Sequence, residues 1–309
     1  MQITATQTIG DALRALAQTF RKAGKPTPEL DARLLLGEVT GLRGASLYGH
    51  GDLAMTSCAS TRLALLRRRR LAGEPVSRIL GRREFWGLNL EIGPGVLDPR
   101  PDSETLVSAA CTLLRDTGQT SEPLAIADLG TGSGALLIAL LSEFENANGV
   151  AVDISAAALR IAKRNMLAHD LQHRASLIQC SWLDAVAGQF DLIVCNPPYI
   201  RTRDIGVLEP EVALHDPQLA LDGGDDGLAA FRALAPRLRH ALKPTGLAIL
   251  EVGVEQHAIV ERLLSEYKLA PVAPRSSIWR DLNGTIRCLA VSYVGSPGKK
   301  GVGMDPRSR

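Results

Sequence analysis

Between residues 124 and 252 the chain repeats one pattern: a short apolar run, a turn signal, then a segment of helical period. The runs are 124–128, 149–153, 175–179, 190–195 and 247–252. Strands apolar on both sides must be covered on both faces, and the intervening helices are what cover them. The pattern therefore predicts a parallel, doubly wound α/β sheet, Rossmann-like, with right-handed crossovers. Segments 271–278 and 286–294 are predicted to form an antiparallel pair at the sheet edge. The tail 295–309, made largely of Gly, Pro, Lys, Arg and Ser, is predicted to be disordered.

Upstream the period changes. Ile9, Leu13, Leu16 and Phe20 recur at helical spacing until Gly24 and Pro26. A second helix is predicted after Pro28, carrying Leu30, Leu34, Leu35 and Val39 as far as Gly41. A third carries Leu63, Leu65, Leu66 and the run Arg67 to Arg70, which could meet RNA or an acidic partner but is more often a solvated helix face. Phe85, Trp86, Leu88, Leu90 and Ile92, with glycines between, predict a β-hairpin, and Pro94, Pro99 and Pro101 punctuate the connection beyond it. The expected organisation is a helical domain over 1–75, a hairpin linker over 76–105 and an α/β domain over 106–294.

Charge is nearly balanced, 35 basic against 33 acidic residues, so no direct nucleic-acid surface is expected. The five cysteines contain no C-x-x-C pair, and the histidines show no ligand spacing, so no metal is assigned. No leader-like segment opens the sequence and no apolar run is long enough for a bilayer; a cytoplasmic protein is expected, with no membrane partner.

The turn after the first strand reads Asp128-Leu129-Gly130-Thr131-Gly132-Ser133-Gly134 and opens a helix. Its glycines let a ligand approach the backbone, and Asp153, at the end of the next strand, is placed to accept hydrogen bonds from ribose hydroxyls. The spacing is G-x-G-x-G rather than the G-x-G-x-x-G of dinucleotide folds. Asp128 ahead of the loop would repel a pyrophosphate but hold an ammonium, directly or through water. Electrostatics thus favours S-adenosylmethionine over NAD. Trp182, after the third strand, either stacks on an adenine or merely covers the sheet end.

After the fourth strand comes Asn196-Pro197-Pro198-Tyr199. Two prolines stiffen the loop. The Asn196 side-chain oxygen and the Pro197 carbonyl can then accept both hydrogens of one –NH2 group, aiming its lone pair toward a sulfonium methyl. Tyr199 is expected to stack on the planar substrate. Such a site suits a poorly nucleophilic planar nitrogen, activated by orientation and by loss of amide resonance.

With these motifs, the sequence resembles the release factor glutamine methyltransferases of the HemK/PrmC type. Further matching stretches are Pro28 to Leu35, Gly73-Glu74-Pro75, Gly81 to Gly87 (GRREFWG), Pro99 to Glu104, Leu250-Glu251-Val252-Gly253 and Asp281-Leu282-Asn283-Gly284. The resemblance implies methylation of the N5 amide of the glutamine in the Gly-Gly-Gln motif of class I peptide-chain release factors. It implies cofactor contacts at Gly130 to Gly134, Asp153, Trp182 and Asn196, and substrate contacts at Asn196, Pro197, Pro198 and Tyr199. It favours the adenine role for Trp182. Where the family usually reads P-R-P-E-T-E, this chain has Asp102 and Ser103, with Asp98 ahead of them; Ser181 and His215-Asp216-Pro217 are further departures. For Arg100 and Glu104 a linker ion pair and a substrate role stay open. The segment 211–227 is read as a loop near the site, gripping the partner or simply at the surface. N-P-P-Y also occurs in adenine-N6 methyltransferases, so DNA or RNA methylation, a glutamine in a ribosomal protein, and a non-catalytic module are the competing readings.

Overall fold

Side chains spaced three or four apart give each N-terminal helix one inward stripe. In α1 (Ile9–Lys22) the stripe is Ile9, Ala12, Leu16 and Phe20, and Thr8 caps the helix by accepting the Asp11 N–H at 3.1 Å. Helix α2 (Pro28–Thr40) starts on a proline and ends at Gly41 in the left-handed conformation. Its buried side chains are Asp31, Ala32, Leu35 and Leu36. Leu30 and Leu34, which helped to announce the helix, point outward. Two short helices that the pattern did not predict, α3 (Ala45–Gly49) and α5 (Val76–Leu80), flank α4 (Ser57–Leu71). Val76 and Ile79 pack into the same core as Leu16, Phe20, Leu35 and Leu63.

The arginine run on α4 is not simply a solvated face. Arg70 is 2% exposed; its Nε donates to Asp31 Oδ2 at 2.6 Å and its Nη1 to Glu211 Oε1 at 2.5 Å. Four consecutive helix residues cover every direction around the axis, so one of them must turn inward. Two carboxylates make its burial tolerable.

The computed structural model describes residues 7–116, 118, 123–272 and 277–294. The predicted tail, and positions 273–276 of the predicted edge pair, lie outside the described residues.

Strands β1 (Arg82–Phe85) and β2 (Leu88–Glu91) form the expected hairpin. Its two-residue turn, Trp86-Gly87, has φ of 53° and 70°, the paired positive values that match strand twist. After α6 (Glu104–Asp116) the α/β alternation runs through β3 (Ala125–Leu129), α7 (Ala135–Glu143), β4 (Asn148–Asp153), α8 (Ala156–Ala168), β5 (Ala175–Gln179) and β6 (Phe190–Cys195). It continues with α9 (Pro210–Ala213), α10 (Ala229–Ala241), β7 (Leu242–Glu251), α11 (His257–Ser265), β8 (Leu269–Pro271), β9 (Ile278–Arg280) and β10 (Ile286–Tyr293).

The sheet order is β5-β4-β3-β6-β7-β10-β8, with β9 also paired to β10. The first five strands are parallel, and β10 runs antiparallel to β7, β8 and β9. The predicted edge pair is therefore three strands, and β10 lies inside the sheet. Cys288 to Val291 are fully buried, which an edge would not allow. On β6 the alternation divides the core: Leu192 and Val194 pack with Leu106 and Leu137 on one face, Ile193 and Cys195 with Phe231 and Val260 on the other. Chain order reverses between β3 and β6, so their carboxyl ends open a crevice where an α/β sheet places a ligand.

Candidate active site

A cavity of about 450 Å³ fills that crevice, a size suited to a nucleoside-bearing ligand. Its wall gathers residues that the sequence scatters: Gly130, Thr131, Gly132 and Ser133 after β3, Asp153 at the end of β4, Trp182 after β5, Asn196 and Pro198 after β6. Asp128, Gly134, Pro197 and Tyr199, also singled out from the sequence, do not line it.

The glycine loop is held in place from below. Gly130 and Thr131 donate their N–H groups to the Val152 carbonyl at 2.8 and 2.9 Å. Gly130 has φ of 75°; a Cβ there would stand 3.7 Å from the Trp182 ring and 4.0 Å from the Asn196 carbonyl. Gly134 serves packing instead, since its Cβ would meet Ile138 and Ala162 at 3.2 and 3.3 Å. Asp153 accepts the Gly132 N–H at 2.9 Å and the Ser155 N–H at 2.8 Å. A carboxylate has about four acceptor positions, so others remain for a diol.

Asp128 sits beneath the loop, 1% exposed. Its Oδ2 accepts the Thr131 hydroxyl at 2.6 Å and the Leu137 N–H at 3.3 Å. Its Oδ1 is buried with no partner. Burial pushes its carboxyl up to about 7. Lying behind the loop, Asp128 braces it and can favour a cation at this end of the cavity through its field. Trp182 is held at φ 51°, a strained value for a bulky residue, and its ring borders the cavity beside Gly130. Unobstructed backbone, a two-acceptor carboxylate, an aromatic wall and an unpartnered buried carboxylate oxygen together fit a nucleoside that also carries a positive charge.

At the other end, Asn196 Nδ2 donates to Ser103 Oγ at 3.1 Å, and Ser103 Oγ donates to Glu251 Oε2 at 2.6 Å. The Tyr199 hydroxyl donates to Glu251 Oε1 at 3.1 Å, so this ring's polar end turns to the sheet and not to the cavity. Glu251 is 3% exposed, and burial pushes its carboxyl up to about 7.

Arg100 and Glu104 do not pair with each other. Arg100 donates to Asp216 Oδ2 at 2.5 Å, and Glu104 accepts the Trp86 N–H at 2.9 Å. In the predicted loop over 211–227, Pro217, Leu219, Ala220 and Asp222 line the cavity, while Glu211 and Asp216 reach back to Arg70 and Arg78. The loop thus touches both the site and the helical domain.

Residues 11–81 match the model described as PrmC N-terminal domain, and 103–218 that described as methyltransferase small domain. The release factor glutamine methyltransferase of Bradyrhizobium diazoefficiens is 45% identical over 284 residues, covering 92% of this chain and 94% of that protein. The Rhodospirillum rubrum protein of the same name is 44% identical over 281 residues, 91% of this chain and 84% of that one. The chain belongs to the release factor glutamine methyltransferase family. Among solved structures, the hMettl16 catalytic domain in complex with a 3′UTR hairpin aligns with a TM-score of 0.53 at 15% identity, over 76% of this chain and 82% of that one. This likeness speaks for the fold alone.

Several residues of this release factor glutamine methyltransferase family member were given no role from sequence. Ser103 and Glu251 stood only in matching stretches; a lone carboxylate ending an apolar strand is the signal that marks Glu251. Asn165 on α8 is 1% exposed and donates to both the Ser133 and the Glu91 carbonyls, tying the glycine loop to the hairpin. Nothing in helical periodicity distinguishes it from its neighbours. Among the described residues no helix is long and apolar enough to cross a membrane, and no three metal-type side chains stand together.

Proposed function

We propose that this chain transfers a methyl group from S-adenosylmethionine to the N5 amide of the glutamine in the Gly-Gly-Gln motif of class I peptide-chain release factors. Family membership supports the protein-glutamine chemistry. The observation that carries the site is that Asn196 opens onto the same cavity as Gly130, Asp153 and Trp182. Cofactor contacts are assigned to Gly130 through Ser133, Asp153, Trp182 and Asn196. Gly134 and Asp128 act from behind the loop, Asp128 by holding Thr131 and by its negative field.

When bound, S-adenosylmethionine supplies a methyl on a sulfonium, displaced with the electron pair left on sulfur. Asp153 would hold the ribose diol, and Trp182 would offer its ring to the adenine. Asn196 Oδ1 and the carbonyl of Pro197, whose ring does not line the cavity, would each accept one N–H of the glutamine amide and so hold its nitrogen lone pair in one direction. Pro198 keeps that rim rigid, and the alkylated nitrogen, now acidic, releases its extra proton to water. Tyr199 buttresses the rim through Glu251 instead of stacking on substrate. Orientation and electrostatics supply the rate enhancement.

The test incubates the protein with methyl-labelled S-adenosylmethionine and a class I release factor, its glutamine-to-alanine variant, a ribosomal-protein fraction, or duplex DNA. Label is expected in the intact factor alone. Equal label in the alanine variant, or label in DNA, refutes the assignment. Asn196→Ala should lose turnover while still binding S-adenosylhomocysteine, because the glycine loop and Asp153 remain.

A further inference from the structure

Asn196 is useful only one way round. With Oδ1 toward the cavity it accepts from a substrate amide; with Nδ2 there it repels the same group. The two orientations have nearly the same shape, so sterics alone do not choose between them.

A chain of hydrogen bonds that borders the cavity only at Ser103 reaches Asn196 from the protein interior. It runs from Glu251 at the end of β7, through the Ser103 hydroxyl ahead of α6, to Asn196 Nδ2, with spacings of 2.6 and 3.1 Å. An ionised carboxylate can only accept. Facing it, Ser103 must spend its single hydrogen on Glu251, which leaves an oxygen that can only accept. Asn196 must answer with its NH2, and Oδ1 is left facing the other way. Tyr199, on the second oxygen of Glu251, can likewise only donate.

We propose that Glu251 and Ser103 are positioning residues that set the orientation of the Asn196 amide, with the carboxylate fixing the direction of every hydrogen bond in the relay. The inference deepens the methyltransferase reading and rests on it. Ser103 borders the cavity yet is only 4% exposed, and Glu251 is 3% exposed, so the relay is largely shielded from solvent. A protonated Glu251 could donate to Ser103, freeing that hydroxyl either to donate to Asn196 Oδ1 or to accept from Asn196 Nδ2, and the choice of orientation would be lost. Glu251 is faced by Ser103 and Asp102 before α6, Tyr199 after β6, and Arg287 and Cys288 on β10; Cys195 on β6 also lies in its field. Burial pushes its carboxyl up to about 7, Asp102 adds to that push, and Ser103, Tyr199 and Arg287 oppose it.

The test pairs turnover with a readout that needs neither cofactor nor substrate. Ser103→Ala and Glu251→Gln should each lower kcat about tenfold or more, the loss of one buried hydrogen bond to a charged network. KM for the release factor and affinity for S-adenosylhomocysteine should stay within about threefold, and Ser103→Thr, which keeps the hydroxyl, should restore kcat. In ¹⁵N spectra the Asn196 side-chain NH2 should be one protected pair in the wild type. It should broaden or double in Ser103→Ala and Glu251→Gln. In the wild type it should lose definition as pH falls through about 7, and kcat should fall over the same range. An Asn196 resonance indifferent to both substitutions and to pH overturns the relay, as does Ser103→Ala with kcat within twofold of wild type. If Ser103→Ala fails to fold, Glu251→Gln and the wild-type titration still decide. A wild-type protein that labels no release factor refutes the function, while the spectra judge the relay separately.

Discussion

Asp216 offers a sharp test of how the helical domain holds the cavity wall. Its side chain is 1% exposed and carries two guanidinium groups: Arg78 donates to Oδ1 at 2.7 Å and Arg100 to Oδ2 at 2.5 Å. Arg78 is 7% exposed, Arg100 36%. Asp216→Asn removes the charge and keeps the shape. Arg78 then stays buried with only neutral acceptors, the Gly93 and Val96 carbonyls at 2.5 Å each and at most one amide oxygen. Stranding a buried charge costs about 3–5 kcal/mol, and the two carbonyls offset part of it, so a loss of about 2–3 kcal/mol is expected. Urea unfolding followed by circular dichroism measures it. A double-mutant cycle with Arg78→Met should return a coupling of about 2 kcal/mol, and one with Arg100→Met less than about 1 kcal/mol, because Arg100 regains water. Equal couplings, or a loss below about 0.5 kcal/mol, would refute the claim that burial separates the two arginines.

Gly130→Ala imposes about 1–2 kcal/mol of left-handed strain and sets a methyl on the cavity wall beside Trp182. Titration calorimetry should show affinity for S-adenosylhomocysteine at least about tenfold weaker, and unchanged affinity would mean that the ligand does not approach this backbone. Arg70→Met strands Asp31, whereas Glu211 keeps Lys25 at 3.5 Å. About 3 kcal/mol of stability should go, and adding Asp31→Asn should return part of it; no recovery would place the loss elsewhere. Asp128 is raised to about 7 in the fold from an ordinary 3.8. Between those values the folded state holds a proton that the unfolded state has released, so stability is greatest below the lower value and falls as pH rises through the upper one. Asp128→Asn should flatten that fall in urea midpoints taken across the range, and an unaltered slope argues against the burial of Asp128 as its cause.

The architecture was legible where period and punctuation agree. The five parallel strands, the hairpin at Trp86-Gly87 and the helices ending at Gly41 and near Gly73 all follow from local signals that tertiary packing then reinforces. Local signals failed where a long-range partner decides the outcome. Arg70 looks like its neighbours until Asp31 and Glu211 are seen to meet it. Strands β8 and β9 are three residues each and owe their pairing to β10, which no window of sequence reports. The site shows the same division. Gly130 to Ser133, Asp153 and Asn196 stand at strand ends, where chemistry is expected, and they converge. Ser103 and Asn165 reach the site by hydrogen bonds across 93 and 32 residues of sequence. Tyr199 was assigned to the substrate because of its place beside Asn196, and its hydroxyl goes to Glu251.

The loop over 211–222 has one end in the helical domain, through Arg70 and Arg78, and the other on the cavity wall, at Pro217 and Leu219. Glu211 and Asp216 are thus held by arginines of a domain that they do not belong to. A chimera that takes its first eighty or so residues from a relative keeps Glu211 and Asp216 but brings its own side chains to meet them, and the active-site wall stays seated only if those side chains pair with both carboxylates. The exchangeable unit is thus the helical domain together with this distant hexapeptide, and a joint drawn at the interdomain linker alone cuts through a single electrostatic part.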